Sequence, residues 1–197
     1  MNNKLNLAVP EIHKANRPYL LRLIGKTLHK FSGWEVKGAI PNINKFILAA
    51  GPHTSNWDFI NAVIFILSID LKLNFLIKHT VFIYGFKTIF KKLGCIPVDR
   101  NNPNLVVEQL AKLTNENNGF ILIITPEGTR KKVKKWKTGF LRIAKISNCK
   151  IVPVGIDYPS KTFNLGEFFE PTGHNDTDIH SIKSFFENFQ GKHPEKQ

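Results

Sequence analysis

Apolar residues along the chain fall into two rhythms, short unbroken runs and stripes of three and four. Residues 46–50, Phe-Ile-Leu-Ala-Ala, form a run that stops at Gly51-Pro52, which predicts a buried strand. Behind it, Ser55 and Asp58 stand in the relation of a capping box, and Ile60, Val63, Ile64 and Leu67 follow at helical spacing. A second short strand is predicted over 74–77. Phe82, Phe86, Ile89, Phe90 and Leu93 then mark the apolar face of a helix stopped by Gly94. A strand over 95–98 comes next. Asn102-Pro103 is a good cap and first residue for a helix that turns Val106, Leu110 and Leu113 inward and closes near Gly119. Residues 120–124 are continuously apolar, as expected of a central strand covered on both faces. A helix over 138–146, a strand over 151–156 and a C-terminal helix carrying Ile182, Phe186 and Phe189 complete the pattern. Strands separated by helices predict an α/β sandwich with a mostly parallel or mixed central sheet flanked by helices. The order of the strands is not encoded in these periods.

Composition narrows the class. With 197 residues, 42% of them hydrophobic, and no linker-like stretch or repeat, the expectation is a single domain over 1–197. The apolar run over 62–67 is far short of the about 20 residues needed to span a bilayer. Met1-Asn2-Asn3-Lys4 lacks the apolar core of a secretory signal, and two cysteines, Cys95 and Cys149, are too few for a disulfide framework or a zinc site. The expected setting is the reducing cytoplasm. A net charge of +13 attracts polyanions, whether nucleic acid, anionic lipid headgroups or nucleotide-bearing cofactors. The densest cluster is Arg130-Lys131-Lys132-Val133-Lys134-Lys135-Trp136-Lys137, which reads most simply as a solvated loop.

Several chemistries lack their residues. Gly25-Lys26-Thr27 resembles the end of a P-loop, but position 20 is Leu where that motif needs Gly. There is no Gly-x-Ser-x-Gly elbow, no helical histidine pair spaced for zinc, and no aromatic RNA-binding signature among the basic residues. Two short motifs remain. His53-Thr54-Ser55-Asn56-Trp57-Asp58 offers a candidate general base with a carboxylate five residues on, and Pro126-Glu127-Gly128-Thr129-Arg130 offers an anion cradle directly after an apolar strand. On one regular helix, positions five apart are separated by about 140° around the axis. The pair therefore meets only if His53 lies in the loop and Asp58 in the first helical turn. On spacing alone, a helix-capping Asp58 beside an ordinary loop histidine is the simpler reading. Both motifs follow predicted strands, where α/β sheets gather ligands.

Taken in order, the motifs resemble those of the lysophospholipid acyltransferases, the family that includes 1-acylglycerol-3-phosphate acyltransferases. His53 to Asp58 is similar to its His-x4-Asp block, and Gly94-Cys95-Ile96-Pro97-Val98-Asp99-Arg100 to its second block. Thr125-Pro126-Glu127-Gly128-Thr129-Arg130 resembles the acceptor-phosphate block, and Val152-Pro153-Val154 the fourth. The matched region runs from about 46 to 156. Pro52 stands where asparagine is usual, and Lys131 where serine often follows the arginine.

The resemblance implies an O-acyltransferase that moves a fatty acyl group from acyl-CoA or acyl carrier protein to a lysophospholipid hydroxyl, foremost 1-acylglycerol-3-phosphate, in phospholipid biosynthesis. It implies His53 as general base and Asp58 as its orienting acid, with Arg100, Glu127, Gly128, Thr129 and Arg130 binding the acceptor. Neither a metal nor a resident cofactor is implied. A structural ion pair between Arg100 and Glu127 is an equal alternative to their direct substrate contact. The rival functions are acylation of another lysolipid or lipid-linked acceptor, and a non-enzymatic basic protein binding membrane or nucleic acid. The implied partners are the acceptor, the acyl donor and an anionic membrane surface, without nucleic acid, on the inner face of the membrane as a peripheral cytoplasmic protein. A helix over 18–33 suits that surface: Leu21, Ile24, Leu28 and Phe31 recur at spacings of three and four, with Arg17, Arg22, Lys26 and Lys30 as basic complement. The alternative for this stripe is that it packs onto the sheet.

Overall fold

In the computed structural model the strong apolar runs become the middle of one sheet. Residues 7–81, 87–99 and 101–197 are described. Among them lie β1 (Glu35–Lys37), β2 (Lys45–Gly51), β3 (Asn74–Lys78), β4 (Cys95–Val98), β5 (Phe120–Ile124), β6 (Lys150–Asp157) and β7 (Thr162–Leu165), in the order β1-β7-β6-β2-β5-β3-β4. Every neighbouring pair is parallel except β6 and β7, so β7 and β1 run against the other five strands. β2 lies between β5 and β6 and is buried on both faces, as its unbroken apolar run requires. The expected α/β architecture with a mixed, mostly parallel sheet is the one observed.

The two faces of the sheet sort the helices. Phe46, Leu48 and Ala50 point toward α2 (Asn56–Ser68), through Phe65 and Ile66. Ile47 and Ala49 point the other way, toward α4 (Pro103–Glu116), α5 (Gly139–Ser147) and α6 (Asn175–Phe186), meeting Leu110, Phe140 and Ile182. α1 (Tyr19–Ser32) packs against α2, and the short α3 (Lys87–Lys92) precedes β4. A Cβ on Gly25 would lie 2.6 Å from backbone atoms of Leu67 and Ser68, so the absence of a side chain there sets how closely α1 approaches α2.

Local signals fixed most boundaries. Ser55 caps α2 in a full capping box with Asp58, and Asn102 precedes a helix that opens on Pro103. Other details depart from expectation. In α2 the most buried apolar residues are Phe65 and Ile66, while Ile60 is 40% exposed. The helix is apolar on nearly every side, so its periodicity has no unique phase. In α3 Ile89 is exposed rather than inward, and the expected Phe82 and Phe86 lie outside the described residues. In α4 Val107 is more deeply buried than Val106. Phe189 falls beyond the end of α6. β1 and β7 were not expected; they are three and four residues long, and β1 alternates exposed and half-buried positions.

The N-terminal stripe faces outward. Across α1, Gly25 and His29 are buried at the seam with α2, whereas Leu21, Ile24, Leu28 and Phe31 are exposed, Phe31 by 81%. Burial lowers the His29 pKa, and its ring packs 5.9 Å from that of Phe65. The basic complement is only partly free. Arg17 is tucked in, donating to Asp70 Oδ1 at 3.4 Å and to the Leu71 carbonyl at 2.9 Å, and Arg22 Nε is buried without a hydrogen-bond partner among the described residues. Lys26 and Lys30 are exposed.

Candidate active site

Parallel strands that end side by side create the site. β2 and β5 pair in register up to Ala49 and Ile124, so the loops after them emerge abreast. His53 lies two residues beyond β2 in a loop, and Asp58 lies in the first turn of α2. This is the arrangement that five-residue spacing demands. Asp58 Oδ2 accepts from His53 Nδ1 at 2.8 Å, from the Thr54 amide at 3.1 Å and from the Ser55 amide at 3.0 Å. The capping and histidine-orienting readings of Asp58 are thus one geometry.

The Asp58 side chain is 3% exposed and that of His53 16%. An ionised carboxylate can only accept, so Nδ1 carries the hydrogen and Nε2 keeps its lone pair in the neutral ring. Among the described residues Nε2 has no hydrogen-bond partner. Such a ring can take a proton at Nε2 while the buried carboxylate stabilises the resulting imidazolium.

Glu127 joins this loop from β5. Its Oε2 and Oε1 accept from the His53 amide at 2.9 and 3.2 Å. Burial pushes the Glu127 carboxyl up to about 7, against the downward pull of the His53 amide and ring, with Asp58 adding to the rise. Gly128 adopts φ +67°, a left-handed turn that admits few side chains. The Thr129 hydroxyl accepts from the Lys131 amide at 3.3 Å, and Arg130 is exposed on the same loop. His53, Asp58 and Glu127 are therefore brought together, and Gly128, Thr129 and Arg130 continue from them into solvent.

Arg100 lies outside the described residues. The strand before it, β4, is three positions from β2 in the sheet, about 14 Å at ordinary strand spacing. Among the described residues no carboxylate-to-cation pair involves Glu127. The block Val152-Pro153-Val154 is buried within β6 beside β2, a packing position.

Two contributors escaped the sequence reading. Tyr158, one residue past β6, donates to Asp58 Oδ1 at 2.6 Å. Burial, and then the bond to Asp58, raise its pKa, so it stays a protonated donor. Both carboxylate oxygens are consequently held. The second contributor is the segment after α6. The His193 amide donates to Thr54 Oγ1 at 3.1 Å, the Tyr158 amide donates to the Gln190 carbonyl at 2.9 Å, and Lys192 Nζ lies 4.8 Å from the Trp57 ring centroid. Glycines admit this segment: a Cβ on Gly51 or Gly155 would sit 2.1 Å from the rings of Phe186 and Phe189. The adjacency of β6 to β2 was the missing signal for Tyr158. Gly155 inside an apolar strand was the one available hint of a close approach.

Other reactive groups lie elsewhere. Burial pushes the thiols of Cys95 and Cys149 up to about 11, which keeps both protonated. Among the described residues no three His, Cys, Asp or Glu side chains group as metal ligands.

The Acyltransferase family model matches residues 34–157, from just before β1 to the end of β6 and more than half of the chain. Among solved structures, the fold is similar to the crystal structure of the 1-acyl-sn-glycerophosphate (LPA) acyltransferase PlsC from Thermotoga maritima. The TM-score is 0.61 at 20% identity, over 86% of this chain and 78% of that one. A likeness at that identity is one of fold. No curated protein matches significantly.

Proposed function

From the premise that the chain belongs to the Acyltransferase family, we propose that it transfers a fatty acyl group from a thioester donor to the free hydroxyl of a lysophospholipid, foremost 1-acylglycerol-3-phosphate. The observation that carries this reading is the buried Asp58 carboxylate holding Nδ1 of His53 at 2.8 Å. His53 Nε2 accepts the hydroxyl proton as the acceptor oxygen attacks the thioester carbonyl. As the tetrahedral intermediate collapses, the carbon–sulfur bond breaks and the proton passes to the departing thiolate. Asp58 stabilises the imidazolium between these steps, and Tyr158 fixes Asp58. No covalent enzyme intermediate and no resident cofactor enters the sequence.

Arg130 suits the acceptor phosphate, since a guanidinium offers two parallel donors and this one is exposed on the loop that Glu127 anchors. Glu127 holds the His53 backbone from β5, and Arg100 stays a proposed second phosphate ligand. The donor is acyl-CoA or acyl carrier protein, both cytoplasmic thioesters, so the surface proposed is the inner leaflet. Among the described residues no helix is long and apolar enough to cross a membrane. The outward apolar face of α1, flanked by Lys26 and Lys30, supports a peripheral contact with anionic lipid, as does the charge of +13.

The direct test incubates purified protein with acyl-CoA or acyl carrier protein and a panel of lysolipids, then identifies products by mass spectrometry. Acylated lysophosphatidate, lost in a folded His53→Ala variant, is the expected result. Turnover undiminished in that variant refutes the mechanism, and acylation of a phosphate-free lipid in preference refutes the acceptor.

A further inference from the structure

Behind Glu127, on the α6 side of the sheet, lies a cavity of about 150 Å³. Pro52 and Glu127 supply its inner wall, so it opens directly off the two motif loops. Lys131 and Trp136 come from the basic loop, Lys183 from α6, and Lys196 from the segment that crosses the site. Trp136 packs against Phe186 with ring centroids 5.5 Å apart, and Lys183 Nζ sits 5.2 Å from the Trp136 centroid. The result is a slot with apolar walls and three ammonium groups around it.

Those ammonium groups are not committed elsewhere among the described residues. Among the described residues none of Lys131, Lys183 and Lys196 forms an ion pair, although Glu187 lines the same cavity. Glu127, the other carboxylate present, is held up to about 7 by burial and so opposes an incoming anion less than an ordinary glutamate would. Arg130 does not line the cavity, so an anion here is not the one that Arg130 would hold.

We infer that this cavity binds the phosphate and adjoining chain of a phosphopantetheine arm, the part common to acyl-CoA and acyl carrier protein. The inference rests on the acyl-transfer reading above and assigns that reaction's donor a separate anion site. A phosphopantetheine arm is slender, carries a pair of methyl groups next to its phosphate, and ends in the thiol that bears the acyl group. Apolar walls and a ring of lysines match the methyl-bearing end and its phosphate. Two of its lining residues adjoin His53, where the thioester must arrive: Pro52 precedes it in the chain and Glu127 accepts from its amide at 2.9 Å.

The test reads binding separately from turnover. Trp136 lines the cavity, so its fluorescence reports occupancy, with a Trp136→Phe variant as the control for Trp34 and Trp57. Wild-type protein is titrated with phosphopantetheine, pantetheine and CoA, and so is a Lys183→Gln/Lys196→Gln variant whose melting temperature verifies its fold. Expected are saturable signals with phosphopantetheine and CoA, weakened about tenfold or more in the variant, and a weaker pantetheine response that the variant leaves unchanged. In turnover, KM for acyl-CoA and for acyl carrier protein should each rise about tenfold, with the acceptor KM unmoved. No signal with phosphopantetheine, equal loss with pantetheine, or a rise in acceptor KM instead would overturn the assignment. An effect on CoA but not on phosphopantetheine would overturn it too, since the lysines would then read the nucleotide. Binding without acyl transfer to any lysolipid would sink the acyl-transfer reading while leaving the cavity assigned. Transfer with donor KM unmoved in the variant would sink the cavity alone.

Discussion

Asp58→Asn isolates charge from geometry because the surroundings of this side chain dictate how the amide must sit. Three donors converge on Oδ2, from His53, Thr54 and Ser55, whereas among the described residues Oδ1 accepts only from the Tyr158 hydroxyl. An asparagine therefore turns its oxygen toward His53 and its amide toward Tyr158, whose hydroxyl can accept as well as donate. The three bonds to the oxygen and the capping box survive, and the Tyr158 contact is kept with its direction reversed, so the fold should lose little. What disappears is the negative charge beside the imidazolium. With Nδ1 and Oδ2 2.8 Å apart, the charge centres are about 4 Å apart, which at an effective dielectric near 20 amounts to about 4 kcal/mol. At about 1.4 kcal/mol per decade this predicts a fall in kcat of roughly a thousandfold. The assay is steady-state acyl transfer at saturating donor and acceptor, beside a melting curve for each protein. A variant that melts like wild type and turns over within tenfold of it would refute the assignment of Asp58 as electrostatic partner of the base.

The remaining expectations are independent of one another. Arg130→Ala should raise KM for a phosphate-bearing acceptor, with Lys an incomplete substitute because it lacks the planar fork; equal impairment with a phosphate-free lysolipid would remove the phosphate assignment. Glu127 binds its proton more tightly folded, at about 7, than at the ordinary 4.5, so its contribution is complete below about 4.5 and is lost as pH rises through 7. Glu127→Gln keeps the neutral form and should gain stability over wild type between pH 5 and 8, on the order of 3 kcal/mol, read by denaturation at both pH values. Gly25→Ala should cost about 1–3 kcal/mol through the clash with the Leu67 and Ser68 backbone, lowering Tm despite the better helix propensity of alanine; an unchanged or raised Tm would show that the helices can separate freely. Phe31→Glu should reduce co-sedimentation with anionic vesicles, and wild-type binding should weaken with salt; binding indifferent to both would dismiss α1 as the membrane contact.

What the sequence disclosed depended on whether the physics was local. The capping box of Ser55 and Asp58 is written in four residues, and so is the opening of α4 on Pro103. The meeting of His53 with Asp58 uses the same local geometry, although spacing alone favoured a capping Asp58 beside an ordinary loop histidine. The unbroken runs of β2 and β5 announced burial on both faces, and their loops emerge abreast because the strands happen to be neighbours. β1 and β7 carried no comparable signal. They are the short strands at one end of the sheet, β1 its edge and β7 between β1 and β6, and their pairing is settled by their neighbours rather than by their own composition. The phase of α2 failed for the opposite reason: with α1 on one side and the sheet on the other, nearly every position is apolar and no stripe stands out.

The site was only half legible because its second half arrives from strand order. His53 and Glu127 lie on loops and Asp58 in the first turn of α2, all within motifs that are contiguous in the sequence. Tyr158 touches Asp58 across 100 residues of sequence, and His193 reaches Thr54 across 139. Neither contact has a spacing that a linear reading could test. Both depend on β6 lying beside β2 and on glycines at 51 and 155 that leave room for Phe186 and Phe189. Those glycines link packing to chemistry. A side chain at either position would push α6 or the segment after it away from the strand ends, and the His193 amide, Lys192 and Lys196 would go with it. The same argument explains why the apolar stripe of α1 faces outward. The glycine at 25 lets α1 rest on α2 through a narrow seam, so its larger apolar side chains need not enter the core and stay exposed.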